Sequence, residues 1–127
     1  MRLWRIVFWS AAALNWLTGL ALTFDISTPA KALGIAMARY DTLYSPFVGW
    51  LVIVFGVMYA IVARDTGKNH AAILGGALAK AGMFALVWLG VMRGEAPLSM
   101  GLLVIAHLVF AILFLAFLMT HRASRHL

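Results

Sequence analysis

The chain contains no cysteine. That excludes disulfides, thiol nucleophiles and cysteine-held metal, and leaves the redox compartment open. Carboxylates are nearly as scarce. Asp25, Asp41, Asp65 and Glu95 are the only four, and all lie in connecting segments or at the ends of long apolar runs. No two are placed as a general acid and base. There is no Gly-x-Ser-x-Gly nucleophile elbow and no His-x-x-x-His metal spacing. His121 and His126 are too far apart for that pattern, and they lie in the tail. The Gly75-Gly76 pair lies inside an apolar run, not in a loop that could cradle phosphate. No catalytic residue, metal site or cofactor is therefore assigned, and the reading leans away from an enzyme.

Charge as a whole is also sparse. Charged residues make up 11% of the 127 positions and apolar residues 65%. Soluble domains carry about 25% and about 45–50%. A soluble core of this size could not hide so much apolar surface, whereas lipid removes the need to hide it. The net charge of +6 does not point to nucleic acid, because Lys and Arg are scattered at segment ends with no basic stripe or arm.

A helix needs about 20 apolar residues to cross a hydrocarbon layer of about 30 Å. Four segments qualify, over about 6–24, 46–63, 71–92 and 98–120. The expected fold is an all-α integral membrane protein, a four-transmembrane-helix bundle in a single domain over 1–127. The start, Met1-Arg2-Leu3-Trp4-Arg5 and then an apolar run, has the look of a signal peptide. The run is longer than a usual signal core and no small-x-small cleavage site follows, so it reads as a retained first span. Arg64–His70 and Arg93–Pro97 are short connections, which predicts that spans two, three and four pack as antiparallel neighbours. The longer first connection reads as a short interfacial helix between spans one and two. Thr28 is placed to cap it, Pro29 to open it, and Leu33, Met37 and Tyr40 recur on one face.

Orientation follows from Lys and Arg. Arg2, Arg5, Arg64, Lys68, Arg122 and Arg125 fall on one side, against Lys31, Arg39 and Arg93 on the other. The positive-inside rule then places both termini in the cytoplasm. Trp4, Trp9, Tyr44, Trp50 and Trp88 fall near the expected interfaces, where aromatic residues anchor spans.

Polar residues deep in a bilayer are costly, so each calls for a reason. Asn15, Lys80 and His107 sit near the middle of spans one, three and four, within roughly one helical turn of the midplane. Lys80 is the most costly. Its ammonium reaches about 6 Å from the backbone while the interface is about 15 Å away, so it is expected to face the bundle interior or a wet cavity. No carboxylate of the chain lies at its depth. Either Lys80 is neutral, or it is hydrogen-bonded to Asn15, backbone carbonyls and water, or its partner is an external anion or carboxylate. Small residues support an interior place: Ala11, Ala12, Asn15 and Gly19 on span one, Gly49, Gly56 and Tyr59 on span two, and Ala72, Gly75, Gly76, Ala79 and Gly82 around Lys80 on span three. Lys80, Asn15, His107 and Tyr59 are the candidate ligand- or partner-binding residues. The plainer alternatives are packing for Asn15 and His107 and solvation for His70 and His121. A second midplane His that could complete a b-type haem site is absent.

The run Phe55-Gly56-Val57-Met58-Tyr59-Ala60-Ile61-Val62-Ala63-Arg64-Asp65, followed by Gly75, Gly76 and Lys80, resembles a pattern in small four-span bacterial inner-membrane proteins of the DoxX-like group. The resemblance covers spans two and three best. It implies residence in a bacterial inner membrane and an accessory role beside quinone-linked or other redox assemblies. It transfers no catalytic residue. Two function classes follow. One is an accessory or assembly subunit of a larger membrane complex. The other is a small transporter, channel or lipid/quinone-binding protein with a midplane site at Lys80. The expected partners are the lipid bilayer, a second copy or another membrane protein, and an anionic or quinone-like ligand, with no nucleic acid.

Overall fold

The computed structural model describes residues 1–25 and 42–123. Helix α1 spans Arg2–Thr23, α2 Tyr44–Arg64, α3 His70–Met92, α4 Leu98–Leu103 and α5 Ile105–Ala123, with no strand among the described residues. Four stretches are long and apolar enough to cross a membrane: α1, α2, α3, and α4 with α5 together. In lipid every backbone polar group must be satisfied within the segment, and an α-helix does this unaided. Leu17, Trp50, Leu86, Ile112 and many other large apolar side chains point outward. Such a surface would aggregate in water. It is consistent with an integral membrane protein. The proposed interfacial helix, with Thr28, Pro29, Leu33, Met37 and Tyr40, lies outside the described residues.

The closest pair of helices is α1 with α2, and the next is α3 with α5, while α2 and α3 touch over a shorter stretch. Connection length predicted contacts among spans two, three and four, and α2 touches α3 and α3 touches α5; it said nothing of α1 with α2. Glycine decides the first pair. A Cβ on Gly19 would lie 2.7 Å from Gly49 O, a Cβ on Gly49 would lie 2.7 Å from Gly19 O, and one on Gly56 would lie 2.5 Å from the Trp16 ring. The two backbones meet where no side chain fits, as small residues permit in membrane helices.

Aromatic packing closes the end of the bundle that holds Met1. Phe8 meets Phe114 at 4.8 Å between ring centroids and Phe117 at 5.5 Å, and Trp4 meets Phe117 edge-on at 5.3 Å. Arg5 donates from Nε to Ala63 O at 3.1 Å, satisfying a carbonyl in the last turn of α2. The α2–α3 turn is held by Asn69 Nδ2 donating to Asp65 O at 2.7 Å and by the exposed Lys68–Asp65 pair at 3.1 Å. At the far end Gly94 takes φ +74, a conformation that glycine adopts without strain.

The fourth span is not the continuous helix its composition suggests. It breaks at Val104. The Val104 N–H still reaches Met100 O and the Leu108 N–H its usual partner Val104 O, at 3.4 Å, but the His107 N–H turns to Val104 O at 3.0 Å, a tighter 3₁₀-type bond. No proline is involved. Ser99 and Gly101 precede the break, a pairing of the kind at which helices bend. A Cβ on Gly101 would lie only 3.2 Å from the Trp88 indole.

Candidate polar centre

Helical spacing puts Phe8, Ala11, Ala12, Asn15 and Gly19 on the buried stripe of α1, and Ile73, Gly76, Ala77 and Lys80 on that of α3. The stripes meet inside the bundle. Lys80 is 3% exposed and Asn15 5%. Lys80 Nζ donates to Asn15 Oδ1 at 2.9 Å. Asn15 Nδ2 in turn donates to Val52 O on α2 at 3.3 Å. One amide thus links three helices.

Two rings enclose the ammonium. Nζ lies 5.1 Å from the centroid of Tyr59 on α2 and 5.3 Å from that of Phe110 on α5. Both are within reach of the ring quadrupole, worth up to about 2 kcal/mol for a desolvated cation. That offsets much of the roughly 2.5–3.5 kcal/mol that a lysine at the centre of a membrane helix costs. The Tyr59 hydroxyl donates to Gly76 O in a long 3.5 Å contact. Its ring also meets Phe114 at 5.2 Å. No carboxylate among the described residues pairs with Lys80. Asp65 is engaged by Lys68, and Asp25 and Glu95 lie in turns outside the helices.

The structure therefore brings Asn15, Lys80 and Tyr59 into direct contact. His107 stays at the edge of the group. It is half-buried, one turn from Phe110 on α5, and makes no hydrogen bond to Lys80. The small residues of α3 divide. Gly76 faces inward under Tyr59, while Gly75 and Gly82 face outward, with nothing within 4 Å of where a Cβ would be. Phe110 and the Val52 carbonyl were not singled out in the sequence. Phe110 lies three residues beyond His107, a helical spacing that could have flagged it. A main-chain carbonyl leaves no such mark.

Two features lie apart from this centre. Trp88 Nε1, towards the far end of α3, is buried and has no hydrogen-bond partner among the described residues. At the opposite end a mainly apolar cavity of about 500 Å³ is lined by His70, Ala71, Leu74, Leu115, Leu118 and Met119. The histidines there are not simply solvated. His121 stacks on Phe117 at 4.1 Å with its Nδ1 3.0 Å from Phe117 O, and His70 lies 6.0 Å from the same ring. No group of three or more His, Asp or Glu suited to a metal occurs among the described residues.

Hydrogen-bond valence limits the chemistry open to the centre. A lysine ammonium has three donors and no acceptor. Asn15 spends its oxygen on Lys80 and an N–H on Val52. Among the described residues no general base stands beside an exposed nucleophile at this centre. No family model, curated protein or solved structure matches the chain.

Proposed function

We propose that the protein works in the bilayer as a small binding or transport protein whose centre is Lys80, with Asn15, Tyr59 and His107 around it. One observation carries this reading. A lysine closed inside the bundle is bonded to a single neutral amide and has no carboxylate partner among the described residues. Its unfilled donors favour a ligand that accepts hydrogen bonds, either an anion or a quinone-like carbonyl. Native mass spectrometry of protein extracted from its own membranes tests this. The wild type is expected to carry a small ligand that Lys80→Met loses while remaining folded. Equal ligand content in the two proteins, with Lys80→Met at least as stable, would reduce Lys80 to a packing residue.

A second reading, an accessory or assembly subunit of a larger membrane complex, is favoured by the outer face of α3. Gly75, Ala79 and Gly82 present a smooth surface there, of the kind that admits another membrane helix. Lys80 points inward, so a partner would meet that face and not the ammonium. The DoxX-like resemblance favours the same reading. A stoichiometric second polypeptide in the same spectra would establish it, and a second copy would mark a homo-oligomer. For location we propose a bacterial inner membrane with both termini cytoplasmic, on the excess of Lys and Arg at that end. Reporter fusions at the C-terminus and at Gly94 should score on opposite sides.

A further inference from the structure

We propose that the cavity between α3 and α5, at the Met1 end of the bundle, binds one anionic phospholipid, with an acyl chain inside it and the phosphate among the cations at its mouth. The site lies apart from Lys80 and does not rest on the reading of that centre. Leu74 precedes Lys80 by six residues, roughly 9 Å along α3. It is 42% exposed, whereas Lys80 is buried.

The lining sets the apolar half of the ligand. The cavity holds about 500 Å³. That is within the about 300–1,000 Å³ usual for small-molecule sites. Ala71, Leu74, Leu115 and Met119 line it and are exposed, so it opens on the outer surface of the bundle. In a bilayer that surface meets acyl chains, and an apolar void does not hold water. His70 is the first residue of α3, and Leu74 lies about one turn, roughly 6 Å, deeper. The cavity therefore starts at the level of the polar α2–α3 turn and covers the depth where headgroups give way to chains.

Charge sets the polar half. His70 is the polar residue of the lining. Lys68 stands two residues before it and is 84% exposed. Exposed Arg64 ends α2 at the same level. Arg122, in the last turn of α5, falls four residues after Leu118, in the register of the lining face. Asp65 is the one acid at this end among the described residues, and Lys68 already engages it. The mouth is thus net positive above an apolar slot. Basic pockets between membrane helices take anionic headgroups. A quinone or a zwitterionic lipid brings no net charge to match these cations. A free phosphate would leave the slot empty.

The test is native mass spectrometry and thermal unfolding of the purified protein, stripped of lipid in a neutral detergent. It is titrated with phosphatidylglycerol, phosphatidylcholine of the same chain length, a short-chain benzoquinone or inorganic phosphate. Phosphatidylglycerol should add as one molecule, raise Tm and saturate at a lower midpoint than phosphatidylcholine. Leu74→Trp fills the cavity and should abolish that addition, and Leu115→Trp does the same from α5 should Leu74→Trp not fold. Leu86→Trp, exposed elsewhere on α3, should leave it unchanged. Lys68→Gln and Arg122→Gln should each raise the midpoint about fivefold, the usual contribution of one cation near a lipid surface. Lys80→Met should bind the lipid as the wild type does. Equal midpoints for the two phospholipids, or an addition untouched by both tryptophan variants, would overturn the proposal as general solvation by lipid. A saturable response to benzoquinone or phosphate and not to phosphatidylglycerol would overturn the ligand class. A loss in Lys80→Met as large as in Leu74→Trp would overturn the separate site.

Discussion

The Tyr59 ring occupies the space that a side chain on Gly76 would fill. A Cβ there would lie 2.5 Å from Tyr59 Cε1. This one contact lets α2 approach α3 and holds the aromatic face beneath the Lys80 ammonium.

Gly76→Ala should therefore cost about 1–3 kcal/mol, the usual penalty of an overpacked site. Gly75→Ala, one residue away, should be neutral or slightly stabilising, because a Cβ there meets nothing within 4 Å and alanine is the better helix former. Unfolding of both variants in the same detergent measures the contrast. Equal effects would contradict the assigned facing of α3.

Asn15→Leu removes the only hydrogen-bond acceptor found for Lys80 among the described residues. An unpaired buried donor costs about 1–3 kcal/mol. The same substitution in a Lys80→Met background should cost much less, because no ammonium remains to be satisfied. The double-mutant cycle should give a coupling of about 0.5–3 kcal/mol. Additive effects would show that the pair is not coupled.

Tyr59→Phe keeps the ring face and loses only the long 3.5 Å hydroxyl contact. It should cost under about 1 kcal/mol. Tyr59→Leu removes the π face and the packing on Phe114 and should cost about 2 kcal/mol or more. Chemical or thermal unfolding ranks the two, and the reverse order would assign the role to the hydroxyl.

Gly49→Ala should drive α1 from α2, since its Cβ would lie 2.7 Å from Gly19 O. A loss of about 1–3 kcal/mol is expected. Because α1 carries Asn15, the same change should weaken the link to Lys80. Cross-linking of cysteines introduced at exposed Leu20 and Val48 would report the separation, and an unchanged yield would count against it.

Much of this architecture was legible in the residues. Each of the four spans announced itself through an apolar run, and the observed helices end within a few residues of those expectations. The matching depth of Asn15 and Lys80 made their hydrogen bond one of three outcomes the residues left open, and the structure shows that bond. Phe110 was not readable, since one aromatic among many apolar neighbours carries no depth signal. Nor was the break at Val104. Ser99 and Gly101 hint at it, but residues of this kind also occur inside unbroken membrane helices. The close pairing of α1 with α2 was not predicted, although Gly19, Gly49 and Gly56 already stood on the expected interior faces.

The sequence by itself determined four helices long and apolar enough to cross a membrane, with one cation midway along the third, because burying a charge and satisfying a backbone are costs read residue by residue. Only the tertiary structure decided which helices touch, that Lys80 rests between Tyr59 and Phe110, and that Gly76 faces in while Gly75 faces out. Those choices depend on how backbones approach one another in three dimensions, and a difference of one residue, or about 100° around a helix, reverses them.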